Sequence, residues 1–264
     1  MFYFCKFFLV LVVIIFTTKI FAFTWITPNG AHFPVAKVTL NVANNNCPNA
    51  GVTAAQLLAL VHKVPTEFWN KVSTANLQLV KGIVTTASFS SFTDGASSAV
   101  LTQAIAQGAA NTIIIGCSNK PSTTFSDGFT AAIGGISSAT DVRGAVVLND
   151  NDSTFANLTE NQKVALLAHE IGHALGLGHS KDPVAVMYYS LGTKIQERLT
   201  RDDFDGLTSL YPHKSPGGCG SIAFVDHEKP PWNGLGSLIL GAFLAPLLMN
   251  LVEKIKRRTT LRHG

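Results

Sequence analysis

A histidine-rich motif between His169 and His179 constrains this chain more than any other feature of its sequence. Residues four positions apart share one face of a helix, so His169 and His173 can bind the same metal ion. Glu170 lies about 100° further round that helix and can reach a metal-bound water without binding the metal itself. Gly176 allows the chain to leave the helix, because glycine readily adopts a left-handed conformation. The turn that follows would bring His179 back as a third ligand.

Three imidazoles and one carboxylate at this spacing indicate a catalytic metal site. Three neutral histidines suit Zn²⁺ and leave a fourth coordination position for water, which is typical of catalytic rather than structural zinc. Zinc lowers the pKa of that water, and a neighbouring carboxylate can remove its proton. A histidine-rich helix end without a metal is the alternative, and the added glycine and third histidine argue against it.

The motif H-E-x-x-H-x-x-G-x-x-H resembles the signature of the metzincin metallopeptidases, in which a turn containing methionine follows. Met187 stands at the expected distance in this chain. Within the metzincins, the sequence is most similar to the matrixins, the family of the matrix metalloproteinases. The stretches that fit this subgroup are Ser180, Asp182-Pro183, Ala185-Val186-Met187-Tyr188 and the segment from Leu199 to Pro212. The resemblance covers about residues 169–212.

This resemblance implies an α/β (α+β) fold, with a twisted, mostly parallel sheet and an active-site helix. A small C-terminal subdomain would contain the methionine turn and a C-terminal helix. The resemblance further implies one catalytic zinc held by His169, His173 and His179. It makes Glu170 the general base and places Met187 beneath the metal.

The resemblance also implies an activity, that of a zinc endopeptidase. It would hydrolyse peptide bonds of extracellular or envelope polypeptides, with Glu170 assisting the attack of the zinc-bound water. Two alternatives stay open: a surface adhesin or binding module whose metal site is only structural, and a processing protease that acts on one partner. An extended substrate is expected to pair with an edge strand, for which residues 145–148 are the candidate.

Two further sets of residues are candidates for a role at the site. Tyr189 stands two residues after Met187, where astacins and serralysins place a tyrosine that stabilises the transition state and matrixins usually have proline. A wall of the substrate pocket is its favoured role, and transition-state stabilisation is the alternative. Calcium is a candidate second metal, although acidic loops are commonly just solvated. Its candidate ligands are Asp127, Asp141, Asp150 and Asp152.

The first 22 residues have the pattern of a secretory signal peptide. Lys6 precedes an apolar run over residues 7–16, which is too short to span a bilayer. Ala22 provides a small residue for cleavage, so the mature chain would begin near Phe23. An uncleaved N-terminal anchor is the alternative.

A second apolar run, residues 235–252, contains no charged residue and predicts a transmembrane helix, since eighteen residues span ~27 Å. The basic tail at residues 253–264 would stay in the cytoplasm by the positive-inside rule. The catalytic domain, residues 23–213, would then lie outside the cytoplasm, N-terminus outward. A linker at residues 214–234 carries a Gly/Cys motif. The order of Gly/Cys motif, apolar helix and basic tail resembles the C-terminal sorting signals of some bacteria, in which the helix is cut off. We therefore expect a secreted protein that is anchored at the cell surface or membrane, or released from it. For residues 235–252, a buried core helix is the alternative to a membrane helix.

Charge and composition exclude several classes of protein. Residues 23–233 hold thirteen basic and fifteen acidic residues, so that part lacks the basic character needed to bind nucleic acid. Hydrophobic residues make up 47% of the chain and charged residues 14%, which excludes disorder over most of its length. The low charged fraction also argues against an ordinary cytosolic enzyme.

Two cysteines, Cys47 and Cys117, fall within the predicted catalytic domain. An even pair in an oxidising compartment predicts a disulfide bond. Two free, buried thiols are the alternative. If bridged, the pair would close a loop of about 70 residues and stabilise the fold by roughly 4 kcal/mol in the chain-entropy model.

Hydrophobic patterns predict alternating strands and helices in the same domain. Capping boxes at Thr53 and Thr159 each predict the start of a helix, and an alanine-rich helix is expected over residues 96–110. Residues 118–143, rich in Ser, Thr, Gly and Asp, are expected to form long loops. The predicted strands are residues 35–42, 77–84, 112–115 and 145–148.

Overall fold

The computed structural model describes residues 23–137, 140–190 and 198–213. The predicted signal peptide (1–22), linker (214–234), membrane helix (235–252) and basic tail (253–264) lie outside these residues. Within the residues that are described, no helix combines the length and apolar character needed to cross a bilayer.

Among the residues that the structure describes, five strands form one sheet that is mostly parallel, as expected. The strands are β1 (Lys37–Val42), β2 (Gln78–Val84), β3 (Thr112–Ser118), β4 (Ala132–Ile136) and β5 (Gly144–Asn149). Their order across the sheet is β2-β1-β3-β5-β4. Strands β1, β2, β3 and β5 are parallel, and β4 pairs antiparallel with β5.

Within the described ranges, six helices connect and cover the strands. They are α1 (Ala54–Val61), α2 (Val64–Glu67), α3 (Ser97–Gln107), α4 (Ser122–Phe125), α5 (Glu160–Ala174) and α6 (Arg201–Leu210), with a 3₁₀ turn at Trp69–Lys71. The predicted capping boxes are present at the starts of α1 and α5. A third, formed by Thr200 and Asp203, begins α6. Each box satisfies backbone N–H groups that an uncapped helix would leave without partners.

Alternate residues of the central strands face two separate apolar layers. Ile113 and Ile115 of β3 belong to the core that α1 and α5 cover. Ile114 belongs to a smaller core that contains Val100 and Ala104 of α3. The α/β fold class predicted from the sequence is therefore confirmed, with helices on both faces of the sheet.

The edge strand differs from the sequence-based prediction. Residues 118–143 were expected to form loops, but they contain α4 and β4. Residues 145–148 were the candidate edge strand, and that prediction is wrong because β5 pairs with β3 on one side and β4 on the other. Among the described residues, no strand pairs with the outer side of β4. Strand β4 is thus an edge of the sheet within the part of the chain that the structure describes.

A disulfide bond joins Cys47 to Cys117. Cys47 follows β1, and Cys117 lies in β3, the neighbouring strand. Both residues are buried in the protein core. The prediction of a disulfide is thus confirmed, and the alternative of two free thiols is excluded.

Candidate metal centre and catalytic carboxylate

The three predicted histidines converge at the C-terminal end of α5. His169 and His173 lie one helical turn apart, and the chain then leaves the helix at Gly176, whose φ is +103°. A side chain at Gly176 would overlap the carbonyl oxygen of Ala31, so this turn requires glycine. His179 returns after the turn, and one ligand atom from each histidine lies within 4.8 Å of the others. Of the described residues, only these three form such a group.

The hydrogen bonds of the imidazoles define which nitrogen can bind a metal. Nδ1 of His169 lies 2.7 Å from the carbonyl oxygen of Val186, and Nδ1 of His173 lies 2.8 Å from that of Leu177. A carbonyl oxygen only accepts hydrogen bonds, so both Nδ1 atoms must donate. The two Nε2 atoms then carry lone pairs, 3.1 Å apart. Lone pairs this close repel unless a cation lies beside them, so the arrangement fits a metal ion.

Burial keeps these imidazoles neutral. It lowers the pKa of His169 to about 4 and that of His173 to about 3. It also lowers the pKa of His179, which is less deeply buried. Neutral imidazole is the form that binds zinc, so the donor set suits this metal at neutral pH.

Glu170 is buried between α5 and the edge strand. A Cβ atom at Gly134 of β4 would overlap the carbonyl oxygen of Glu170 and lie 3.0 Å from its Oε2. Burial raises the pKa of the Glu170 carboxyl to about 8. A bound dication would oppose this increase, because it favours the ionised carboxylate. A carboxylate whose pKa lies near neutrality is suited to accept and return a proton.

The turn around Met187 packs directly beneath the ligand helix. A Cβ atom at Gly172, between the two helical histidines, would overlap the Met187 sulfur, so glycine is needed for this approach. The turn also supplies the Val186 carbonyl group that orients His169. The Asp203 carboxylate of α6 accepts hydrogen bonds from the N–H groups of Val186 and Met187, both at 3.0 Å. Asp203 was missed as a site residue; its position in the Thr200 capping box was the available signal.

Tyr189 lies beside the third histidine. Its ring centroid is 6.5 Å from that of His179, and its side chain is exposed. The Tyr188 ring also packs against it, with centroids 4.5 Å apart. This position is compatible both with a wall of the substrate pocket and with transition-state stabilisation, so the role of Tyr189 stays a prediction.

The N-terminal segment, to which the sequence assigned no role, binds the turn that carries His179. The Ile26 N–H donates to the Gly176 carbonyl group at 2.9 Å, and the Gly178 N–H donates to the Thr24 carbonyl group at 2.8 Å. The Thr24 hydroxyl donates to the carbonyl oxygen of His179 at 2.9 Å. These contacts fix the backbone of the third ligand as a strand pairing would.

The candidate calcium ligands are engaged within the chain. Asp127, Asp150 and Asp152 each accept hydrogen bonds from nearby backbone N–H groups. Asp141 lies 3.9 Å from the guanidinium group of Arg143. A calcium site therefore stays a prediction without structural support.

Comparison with known proteins agrees with this geometry. A family model described as Matrixin matches residues 72–212. Human neutrophil collagenase is 42% identical over 65 residues, which is 24% of this chain and 14% of the relative. Human matrilysin is 49% identical over 49 residues, which is 18% of this chain and 18% of the relative. Metalloendoproteinase 1 of Glycine max is 48% identical over 48 residues, which is 18% of this chain and 16% of the relative. The aligned segment spans less than a fifth of the length of each of these relatives.

Proposed function

The chain belongs to the matrixin family, and on that premise we propose that it is a zinc-dependent endopeptidase acting on extracellular or envelope polypeptides. The observation that carries the proposal is the convergence of three neutral imidazoles, of which His169 directly precedes the buried Glu170 on α5. A purely structural metal site would have no need of that carboxylate. The same observation therefore argues against an adhesin or binding module.

The proposed chemistry assigns a role to each residue. His169, His173 and His179 would hold zinc, which when bound polarises the scissile carbonyl group and lowers the pKa of water. Glu170 would accept a proton as water adds to the carbonyl carbon, and would return it to the amine nitrogen as the C–N bond breaks. Met187 would support the ligand helix from below by packing.

The proposed substrate is an extended polypeptide that pairs with the outer side of β4. Two observations support this: the position of that strand at the edge of the described sheet and the contact between Gly134 and Glu170. An added strand would gain main-chain hydrogen bonds while its backbone passed the catalytic carboxylate. Tyr189, exposed beside His179, would form a wall of the adjoining pocket. A Tyr189→Phe variant with the kcat of the wild type would support that role over transition-state stabilisation.

The activity is tested with zinc-loaded protein and a casein-type substrate. We expect cleavage that stops on chelation, and a Glu170→Ala variant that retains zinc but loses about 10²–10⁴-fold in kcat. Activity that survives chelation, or a zinc-bound Glu170→Ala protein that cuts as fast as the wild type, would contradict the proposal. A peptide library distinguishes general proteolysis from processing, because a processing protease would accept a single site.

The proposed location is outside the cytoplasm, with residues 235–252 as a single-pass membrane anchor that is kept or removed. The bond between Cys47 and Cys117 supports this location, because disulfides persist in oxidising compartments. Mass spectrometry of the mature C-terminus would distinguish an anchored from a released protein. Recovery of the native protein with both cysteines reduced would contradict an oxidising location.

A further inference from the structure

Phe129 is the most exposed large apolar side chain among the described residues, with 90% of its surface accessible. It stands in the turn between α4 and β4. Single exposed apolar residues are common and often have no role. Phe129 becomes informative through the way its turn is built and through its position on the edge strand.

The turn that presents Phe129 is held rigidly by Asp127. The Asp127 carboxylate accepts hydrogen bonds from the N–H groups of Phe129 at 2.7 Å and Thr130 at 2.8 Å, and from the Thr130 hydroxyl at 2.8 Å. These hydrogen bonds hold the pKa of Asp127 below its ordinary value. The side-chain amide of Asn149 donates to the Thr130 carbonyl group and so ties the turn to the end of β5. The backbone of Phe129 is thus fixed while its ring stays in water.

The turn leads directly into the edge strand proposed to bind substrate. Phe129 precedes Gly134, the residue that contacts Glu170, by five positions. At ~3.3 Å per residue this separation is at most about 16 Å, or about four to five residues of an extended substrate. A polypeptide paired with the outer side of β4 would therefore reach Phe129.

The strand itself has little to offer a substrate beyond its backbone. Gly134 and Gly135 have no side chains, and the side chains of Ala132, Ile133 and Ile136 are buried or half-buried. Main-chain hydrogen bonds give affinity to an added strand, whereas side-chain contacts give selectivity. Residues just outside the strand can add selectivity along this edge, and Phe129 is an exposed apolar residue placed there.

We propose that Phe129 is a specificity residue that binds an apolar substrate side chain lying three to five residues from the cleaved bond. The contact lies at the end of the cleft where β4 begins. Burial of the ring against an aliphatic or aromatic side chain removes apolar surface of both partners from water. This inference rests on the proposed endopeptidase function, since it presupposes a polypeptide aligned with β4.

The experiment compares Phe129→Ala with Ile83→Ala. Ile83 is an exposed apolar residue of β2, at the opposite edge of the sheet, and serves as the matched control. Each protein is assayed with long peptides that share one cleaved bond. The peptides carry either Leu or Ser at one position, which lies three to six residues from that bond. A short peptide that extends about two residues on each side is the reference.

In the wild type and in Ile83→Ala, we expect Leu at a position on one side of the bond to raise kcat/KM about tenfold over Ser, a contribution typical of one aromatic anchor. In Phe129→Ala this ratio should fall to about one, mainly through KM. The short peptide should be cleaved equally by all three proteins. An unchanged Leu-to-Ser ratio in Phe129→Ala, or an equal loss with the short peptide, would overturn the inference.

Failure of the proposed function would have a different signature, namely no cleavage of any peptide by the zinc-loaded wild type. Binding of the same long peptides to Glu170→Gln proteins, followed by fluorescence anisotropy, tests Phe129 without turnover. We expect Kd for the Leu peptide to rise about tenfold when Phe129 is also replaced. Equal Kd values with and without Phe129 would refute the inference whatever the enzyme cleaves.

Discussion

Two elements meet at Glu170, the ligand helix α5 and the edge strand β4, and they are held in place by different means. Side chains fix the helix: His169 and His173 donate to backbone carbonyl groups, and a capping box secures its first turn. The strand is positioned by the lack of a side chain at Gly134, which allows the backbone of β4 to lie against Glu170. The helix therefore depends on particular functional groups, whereas the strand depends on space.

This difference predicts how each element responds to substitution. On α5 and the turn beneath it, removing a hydrogen-bonding group should weaken metal binding. On β4, adding a single methyl group where the strand meets Glu170 should displace the strand and disturb catalysis while the metal stays bound. Zinc affinity and kcat/KM, measured together on each variant, separate the two kinds of effect.

Of the substitutions that test this contrast, Gly134→Ala should have the largest effect, a loss of kcat/KM. The added Cβ would overlap the Glu170 carbonyl group, which belongs to the helix backbone and cannot move aside easily. A displacement of about 1 Å at a reacting group can lower the rate by about 100-fold, and we expect a loss of that order in kcat/KM with zinc retained. The neighbouring Gly135→Ala is the control, because its Cβ would contact only the flexible side chain of Leu101, at 3.2 Å. Equal activities of the two variants would show that space at Gly134 is not what positions the strand.

Asp203→Asn should have a smaller effect, located on the ligand side. The Asp203 carboxylate accepts four hydrogen bonds, from the N–H groups of Val186, Met187 and Thr200 and from the Thr200 hydroxyl. Asparagine offers one oxygen, so buried N–H groups of the methionine turn would lose their partner. Because Val186 orients His169, we expect zinc affinity to fall about tenfold.

The control for Asp203→Asn is Asp205→Asn on the same helix. Asp205 forms an exposed ion pair with Arg201, with Nε and Oδ2 3.6 Å apart, and exposed pairs contribute little. The zinc affinity of the Asp205→Asn protein, measured by competition with a chromophoric chelator, should match that of the wild type. An Asp203→Asn protein with wild-type zinc affinity would show that the turn keeps its shape without the Asp203 carboxylate.

The same contrast explains what could be predicted from the sequence. The capping boxes of α1 and α5 are confirmed, and the candidate ligands and candidate base could be named, because each depends on residue types at fixed local spacing. The edge strand was missed because Gly134 and Gly135 have no preference for extended structure, and their conformation is imposed by pairing with β5. Residues 145–148 did carry a usable signal, since an unbroken apolar run is typical of a strand buried on both faces. The capping box could have marked Asp203 as part of the start of α6, but its bonds to Val186 and Met187, like the bond of Thr24 to His179, join residues that no local pattern connects.

Thr24→Val should have the smallest effect, and it tests whether the third ligand depends on side chains as the helical ligands do. The Thr24 hydroxyl donates to the carbonyl oxygen of His179, and valine keeps the shape of threonine without that donor. One hydrogen bond contributes about 1 kcal/mol, so we expect zinc to bind about three- to tenfold more weakly. Thr24→Ser keeps the hydroxyl and should bind zinc like the wild type. If Thr24→Val and Thr24→Ser bind zinc equally well, the backbone pairing through Gly176 and Gly178 is sufficient to hold His179. The third ligand would then resemble β4, which is positioned by main-chain contacts, more than the helix that carries the other two.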